Sequence, residues 1–102
     1  MNIIVKDHRE ALAALCVKHH VTRLELFGSA AGVDERPQPN DLDFLVEFVP
    51  ATPEEHADRY FGLKEDLEAL FGVQVDLVEA KAMKNPYFIR RVNESRKLIY
   101  AA

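Results

Sequence analysis

The chain has 102 residues, 48% of them hydrophobic and 29% charged, a balance typical of one globular domain. We therefore expect residues 1–102 to form a single domain. No apolar run approaches the ~20 residues that a membrane span needs, and the N-terminus lacks signal-peptide features, so a cytoplasmic location is expected. The net charge of −4 argues against general nucleic-acid binding, which depends on neutralising phosphates with Lys and Arg.

The first half of the chain predicts a helix followed by two strands. The apolar positions from Asp7 to His19 have helical spacing and include the single cysteine, Cys16, which we expect in the core. The β-branched and aromatic residues from Val21 to Phe27 predict a strand. Residues 32–40 contain two prolines and a glycine and predict a loop. The segment from Asp41 to Phe48 predicts the second strand.

The second half predicts helix, strand, helix and a last short strand. Pro53 to Phe71 is the longest predicted helix, with Thr52 as its N-cap and Gly72 at its end. The remaining predicted elements are a strand from Val73 to Glu79, a basic helix from Asn85 to about Glu94, and a strand from Leu98 to Tyr100. This order predicts an α/β fold of the α+β type, a small sheet packed by helices.

Three local expectations accompany these elements. Tyr87 and Phe88 open the basic helix beside a proline, which favours a place in the core. His19 and His20 follow the first helix, where a surface pair would suit the helix dipole. Gly62 lies inside the longest helix and is expected to cost about 1 kcal/mol relative to alanine.

Two carboxylates begin the second strand on one side of it. Because side chains alternate along a strand, Asp41 and Asp43 point away from Leu42 and Phe44. Two like charges held side by side repel, and a shared cation would offset the repulsion. Taken alone, such a pair is as well explained by a solvated strand end. It is no EF-hand, because Val46 occupies the position that requires glycine.

A third acid, Asp76, lies in the predicted third strand between Val75 and Leu77. If the second and third strands are neighbours, all three carboxylates could converge. Three carboxylates form the hard-oxygen site that Mg²⁺ accepts, and two such ions stabilise the attacking and leaving oxygens of an in-line phosphoryl displacement. The sequence therefore makes Asp41, Asp43 and Asp76 candidate metal ligands and catalytic residues.

A Gly-Ser pair at the end of the first strand supplies a candidate phosphate site. Gly28 would let the backbone approach a phosphate closely, and Ser29 would offer a hydroxyl donor. Free N–H groups would add to the site if a short helix began at Ser29. The chain contains no P-loop motif. A Gly-Ser pair is weak evidence alone but specific when Asp-x-Asp and a third Asp follow on later strands.

These elements together resemble the minimal nucleotidyltransferase (MNT) branch of the polymerase-beta-like nucleotidyltransferase superfamily. The resemblance is carried by Phe27-Gly28-Ser29, Asp41-Leu42-Asp43-Phe44 and Val75-Asp76-Leu77, and it extends to the tail from Asn85 to Tyr100. It implies a mixed sheet, two Mg²⁺ ions as cofactors, a nucleoside triphosphate, most simply ATP, and nucleotidyl transfer to an acceptor. It assigns Gly28 and Ser29 to the triphosphate, Asp41 and Asp43 to both metals, and Asp76 to the catalytic metal and the attacking hydroxyl.

The chain departs from the family in one motif. Many relatives continue Gly-Ser-x-Ala-Arg-Gly, whereas this chain reads from Gly28 to Gly32 without the arginine. Arg36 or the basic tail could supply the missing charge. Residues 81–102 carry 6 basic and 1 acidic side chains, whereas residues 1–80 carry 7 basic and 16 acidic ones. The tail therefore suits a phosphate-bearing ligand or an acidic partner.

The sequence supports two alternative functions of different classes. The first is a Mg²⁺-dependent nucleotidyltransferase whose acceptor site comes from a partner protein or a second copy. The resemblance suggests a HEPN-domain toxin as that partner, because small MNT proteins often act as its antitoxin and some transfer AMP to a tyrosine of the toxin. The alternative is a binding module that neutralises a partner by contact and has a catalytically weak or inactive nucleotide site. Binding to the partner in EDTA would separate the two.

Overall fold

Two helices precede the sheet where the sequence predicted one. The computed structural model describes all residues from Met1 to Ala102, with α1 at Ile3–Asp7 and α2 at Arg9–Lys18. The side chain of Asn2 accepts a hydrogen bond from the backbone N–H of Ile4 and so caps the additional helix. The two helices meet at His8. The predicted helix from Asp7 to His19 therefore corresponds to α2 alone.

Four strands form one mixed sheet, as the resemblance implied. The strands are β1 (Val21–Phe27), β2 (Asp41–Phe48), β3 (Gln74–Glu79) and β4 (Lys97–Ala101). Their spatial order is β3-β2-β1-β4. β1 pairs antiparallel with β2 and with β4, whereas β2 and β3 are parallel. The parallel pair is possible because a long helix connects β2 to β3 across the sheet.

The two later helices begin and end at the residues that the sequence indicated. α3 spans Pro53–Phe71, and the Thr52 hydroxyl accepts the N–H of Glu55 at 3.2 Å. Gly72 ends α3 in the left-handed region, with φ of 67°. α4 spans Pro86–Ser95 and is capped by the side chain of Asn85. No helix is both long and apolar enough to cross a membrane.

The main core lies between one face of the sheet and helices α1 to α3. Its members alternate along the strands, as the sequence predicted, and the fully buried ones include Leu24, Leu26, Leu42, Phe44, Val46 and Val75. Cys16 belongs to this core, as predicted, and burial raises the pKa of its thiol to about 12. A smaller cluster of Phe27, Leu45 and Val92 lies on the other face, under α4.

Two local expectations were wrong. Tyr87 is 79% exposed. The inward face of α4 begins one residue later, at Phe88, whose ring meets Phe27 edge-on at 6.0 Å. His19 is buried rather than a surface residue. Its ring lies against Gly62 and its Nε2 atom is 2.6 Å from a carboxylate oxygen of Asp66.

Candidate active site

Pairing of β2 with β3 places two of the three predicted acids side by side. Asp43 is the register partner of Asp76, and Asp41 is the partner of Gln74. All three acids lie on the sheet face that α4 covers, because the alternate residues Leu42 and Phe44 enter the main core. Asp43 is half-buried, whereas Asp41 and Asp76 are exposed. The structure thus gathers the carboxylates at the end of β2 where the loop from β1 arrives.

The environment of Asp43 disfavours its negative charge. Burial of the carboxyl, a hydrogen bond with Asp76 and the charges of Asp41 and Asp76 raise the pKa of Asp43 to about 6. A cation bound at this carboxylate would offset the repulsion and favour the ionised form of Asp43.

The donor chemistry at these residues fits a hard divalent cation such as Mg²⁺, which prefers carboxylate oxygens. The close pair consists of Asp43 and Asp76, and Asp41 lies two residues earlier on the same face of β2. No three His, Cys, Asp or Glu side chains form a preformed metal site, so Asp41 is not yet arranged as a third ligand of this pair. The structure therefore brings two of the three predicted ligands into register and leaves the third beside them.

Gly28 lies against Asp43, one member of this pair. It adopts a left-handed conformation with φ of 76°, and a β-carbon at this position would lie 2.6 Å from Oδ2 of Asp43. Only glycine allows the chain to turn here while the carboxylate keeps its place. Residues 29–31 form a turn, so the condition of a short helix beginning at Ser29 is not met. The Gly-Ser turn and the acids therefore belong to one site, although they lie on different elements.

Arg36 lies against this turn, although it comes from the loop between β1 and β2. Its guanidinium donates to the Ser29 hydroxyl at 3.2 Å and to both carboxylate oxygens of Asp34, at 2.8 and 2.6 Å. Hydrogen bonds from Arg36 hold the pKa of Asp34 well below its usual range. The charge of Asp41 acts on Arg36 as well. The structure thus places a loop arginine beside Ser29, where the motif arginine is missing.

A pocket of about 400 Å³ opens between this turn and α4. Its walls include Gly28, Ser29 and Asp43 on one side, and Phe88, Arg91 and Ser95 on the other. The hydroxyl of Ser95 accepts the backbone N–H of Gly28 at 2.9 Å and so connects α4 to the turn. Sequence reasoning recognised the basic tail but did not identify which of its residues face the acids. The spacing of Phe88, Arg91 and Ser95, three and four residues apart, is the signal that could have shown it.

Comparisons with known proteins agree with this architecture. Residues 8–99 match the model of the family described as "Nucleotidyltransferase domain". A provisionally named protein adenylyltransferase of Methanocaldococcus jannaschii is 37% identical over 97 residues, which cover 95% of this chain and 90% of that protein.

Solved structures show the same fold. A structure provisionally assigned as a minimal nucleotidyltransferase is 34% identical, with a TM-score of 0.69 and 95% of each chain covered. A complex of a tri-AMPylated HEPN toxin with its MNT antitoxin, from Shewanella oneidensis, matches at a TM-score of 0.65. That match has 16% identity and covers 96% of this chain and 73% of the other. The family match, over nearly the whole chain, identifies this protein as a member of the nucleotidyltransferase domain family, with the minimal nucleotidyltransferase fold.

Proposed function

We propose that this protein is a Mg²⁺-dependent adenylyltransferase that uses ATP. An acceptor hydroxyl would attack the α-phosphorus, a new oxygen–phosphorus bond would form, and the bond to the β-phosphate oxygen would break. Pyrophosphate would leave with the bonding electron pair. The observation that carries the proposal is the pairing of Asp43 with Asp76 beside the Gly-Ser turn, at the edge of a pocket.

The chain's own residues have distinct roles in this proposal. Asp41 and Asp43 would bind two Mg²⁺ ions. Asp76 would bind one of them and accept the proton that the attacking hydroxyl loses. When bound, the ions would neutralise charge on the phosphates and on the reacting oxygens. Gly28 and Ser29 would hold the triphosphate. Because burial and the neighbouring carboxylates raise the pKa of Asp43 to about 6, a cation would compete with a proton at this group, and metal binding would depend on pH.

The proposed acceptor is a hydroxyl of a partner protein, most simply a tyrosine of a HEPN-type toxin. The proposal is supported by the complex of an AMP-modified HEPN toxin with a protein of the same fold. It is also supported by the adenylyltransferase name of the 37% identical relative. In-line transfer needs positioning and charge neutralisation but no nucleophile from the protein itself. A partner that brings its own hydroxyl would therefore complete the site.

Calorimetric titration with ATP tests the site directly. We expect the wild-type protein to bind ATP in Mg²⁺ and to lose that binding in EDTA. Asp43→Asn should abolish Mg²⁺-dependent binding and transfer while the fold stays intact or becomes slightly more stable, because a like-charge repulsion is relieved. Asp58→Asn is the matched control, since it removes the same charge from an exposed position on α3.

Two results would contradict the proposal. Binding of ATP that is equally tight in EDTA would remove the role of the metal. Full Mg²⁺-dependent binding by Asp43→Asn would show that the carboxylate pair is not its ligand. A protein that binds its toxin in EDTA without using ATP would instead be an antitoxin that acts by contact.

A further inference from the structure

We propose that Arg91, on α4, binds the phosphates of the nucleotide that leave as pyrophosphate, and so acts as a specificity residue for a nucleoside triphosphate. This inference rests on the proposed function and extends it to a residue outside the Gly-Ser and Asp motifs. The guanidinium group is suited to this task because it presents several donors in a plane that matches phosphate oxygens.

The position of Arg91 follows from the way α4 packs on the sheet. Val92 is buried, and Phe88 packs on Phe27, so these two residues anchor the helix against the end of β1. Arg91 lies next to Val92, on the side of α4 that turns toward the Gly-Ser turn, and lines the pocket with Ser29 and Asp43. Packing of the apolar residues therefore fixes the place from which the arginine reaches into the pocket.

A hydrogen bond ties this helix to the turn that Arg91 faces. Ser95, one turn after Arg91, accepts the backbone N–H of Gly28 at 2.9 Å. The same hydroxyl lies 3.5 Å from the carbonyl oxygen of Arg91. Because α4 is attached at this point, Arg91 and the Gly-Ser turn form two walls of one pocket, and a phosphate chain between them could contact both.

Arg91 also differs from the other arginines of α4 and its end in having no ionic partner. Arg90 pairs with Glu94 at 3.7 Å, and Arg96 pairs with Glu25 at 2.7 Å, whereas Arg91 forms no salt bridge. The charge of Arg91 is therefore free to bind a ligand. No partner side chain would be left unsatisfied when Arg91 is replaced, so its substitution should leave the fold intact.

The negative charges around the pocket explain why a positive side chain is needed there. Asp43 and Glu94 line the pocket with Arg91, and Asp41 and Asp76 are close to Asp43. This surface would repel a triphosphate unless positive charge were supplied. The metal ions of the proposed function would act at the carboxylates, and Arg91 would act on the opposite wall. Arg36 is less available, because Asp34 already occupies two of its donors.

Titration of the wild-type protein and Arg91→Gln with ATP and with AMP, each in Mg²⁺, tests the inference. We expect Arg91→Gln to weaken ATP binding about ten- to a hundredfold, the loss typical of hydrogen bonds to a charged group. Binding of AMP should change less than about threefold, since AMP lacks the phosphates in question. Arg9→Gln is the matched control, because it removes the same charge from an exposed position on α2, outside the pocket, and it should bind ATP like the wild type.

The outcomes separate this inference from the proposed function. If Arg91→Gln binds ATP as tightly as the wild-type protein does, the role of Arg91 is overturned and the proposed function stands. Equal losses for ATP and AMP would also overturn it, because the contact would then not be with the leaving phosphates. Absence of Mg²⁺-dependent ATP binding by the wild-type protein would overturn the proposed function, and the role of Arg91 with it.

Discussion

Two independent constraints act on Gly28. Its φ of 76° lies in the left-handed region, which costs a residue with a β-carbon about 1–2 kcal/mol. In addition, a β-carbon would lie 2.6 Å from Oδ2 of Asp43, closer than the two atoms can approach. The first constraint concerns stability alone, whereas the second concerns the position of a proposed metal ligand. The two effects can therefore be separated by experiment.

Gly28→Ala should lower the free energy of unfolding by roughly 1–2 kcal/mol and also weaken Mg²⁺-dependent ATP binding. The binding loss is expected because the new methyl group displaces the Asp43 carboxylate from its place beside Asp76. Gly72→Ala is the control, since Gly72 has φ of 67° and nothing within 4 Å of an added β-carbon. It should lose similar stability but keep its ATP affinity. Equal ATP affinity in both variants would refute the role of Gly28 in placing Asp43.

At the scale of elements, α2 and α3 interlock through a glycine and a histidine. Gly62 lies inside α3, where glycine is unfavourable by about 1 kcal/mol relative to alanine. The His19 ring, at the end of α2, fills the space beside it, and a β-carbon at position 62 would lie 2.8 Å from Cε1 of His19. The ring cannot move easily, because it is buried and its Nε2 is 2.6 Å from Asp66. Close packing of the two helices thus accounts for the glycine.

Gly62→Ala should therefore fail to give the stability gain that helix propensity alone predicts, and should instead be neutral or destabilising. In a His19→Ala background the obstacle is removed, so the same Gly62→Ala change should stabilise the protein by about 1 kcal/mol. Urea unfolding of the wild type, both single variants and the double variant measures this coupling. A stability gain of the same size in both backgrounds would show that the His19 ring does not restrict position 62.

For the molecule as a whole, local patterns predicted the elements better than the contacts between them. All four strands and the caps of α3 were predicted from local signals. The β-branched residues of β1, and Thr52 and Gly72 at the ends of α3, are signals that lie within or next to the element they predict. The extra helix α1 was missed, because its cap, Asn2, is held in place by residues far along the chain. The backbone N–H of Asn2 donates to the carbonyl of Ala30, and its side-chain amide donates to the carbonyl of Arg36.

The candidate site shows the same division. The motif of the site was identified from chain order alone, and it consists of Gly28, Ser29, Asp41, Asp43 and Asp76. Which strands are neighbours, and hence that Asp43 faces Asp76, depends on sheet order and register, which the motif does not encode. Arg36 and the basic tail were candidates for the missing charge, but only the fold shows that Arg36 lies beside Ser29 and that Arg91 lines the pocket.

The acidic body and the basic tail of the chain meet at a buried ion pair that the sequence did not single out. Glu25, on β1, is buried, and both of its carboxylate oxygens accept hydrogen bonds from Arg96, each at 2.7 Å. Arg23 adds another at 2.7 Å. Arg96 lies at the junction of α4 and β4. This contact therefore attaches α4, which forms one wall of the pocket, to the sheet. The stabilisation that a buried carboxylate with two arginine partners gives to the fold depends on the carboxylate being ionised.

The pair predicts a specific loss of stability in acid. Hydrogen bonds from Arg96 lower the pKa of Glu25 from 4.5 to about 2, against the opposing effect of burial. Because the folded pKa lies below the unfolded one, the stabilisation is complete above about pH 4.5 and is lost as the pH falls toward 2. The contribution is at most about 3 kcal/mol.

Urea unfolding between pH 7 and pH 3 should show this fall in the wild type. Glu25→Gln should be less stable at pH 7, where it leaves Arg96 without an anion, and should show a flatter dependence on pH. Glu65→Gln, an exposed change on α3, should keep the wild-type slope, and an equally steep slope in Glu25→Gln would mean that other carboxylates control the acid transition.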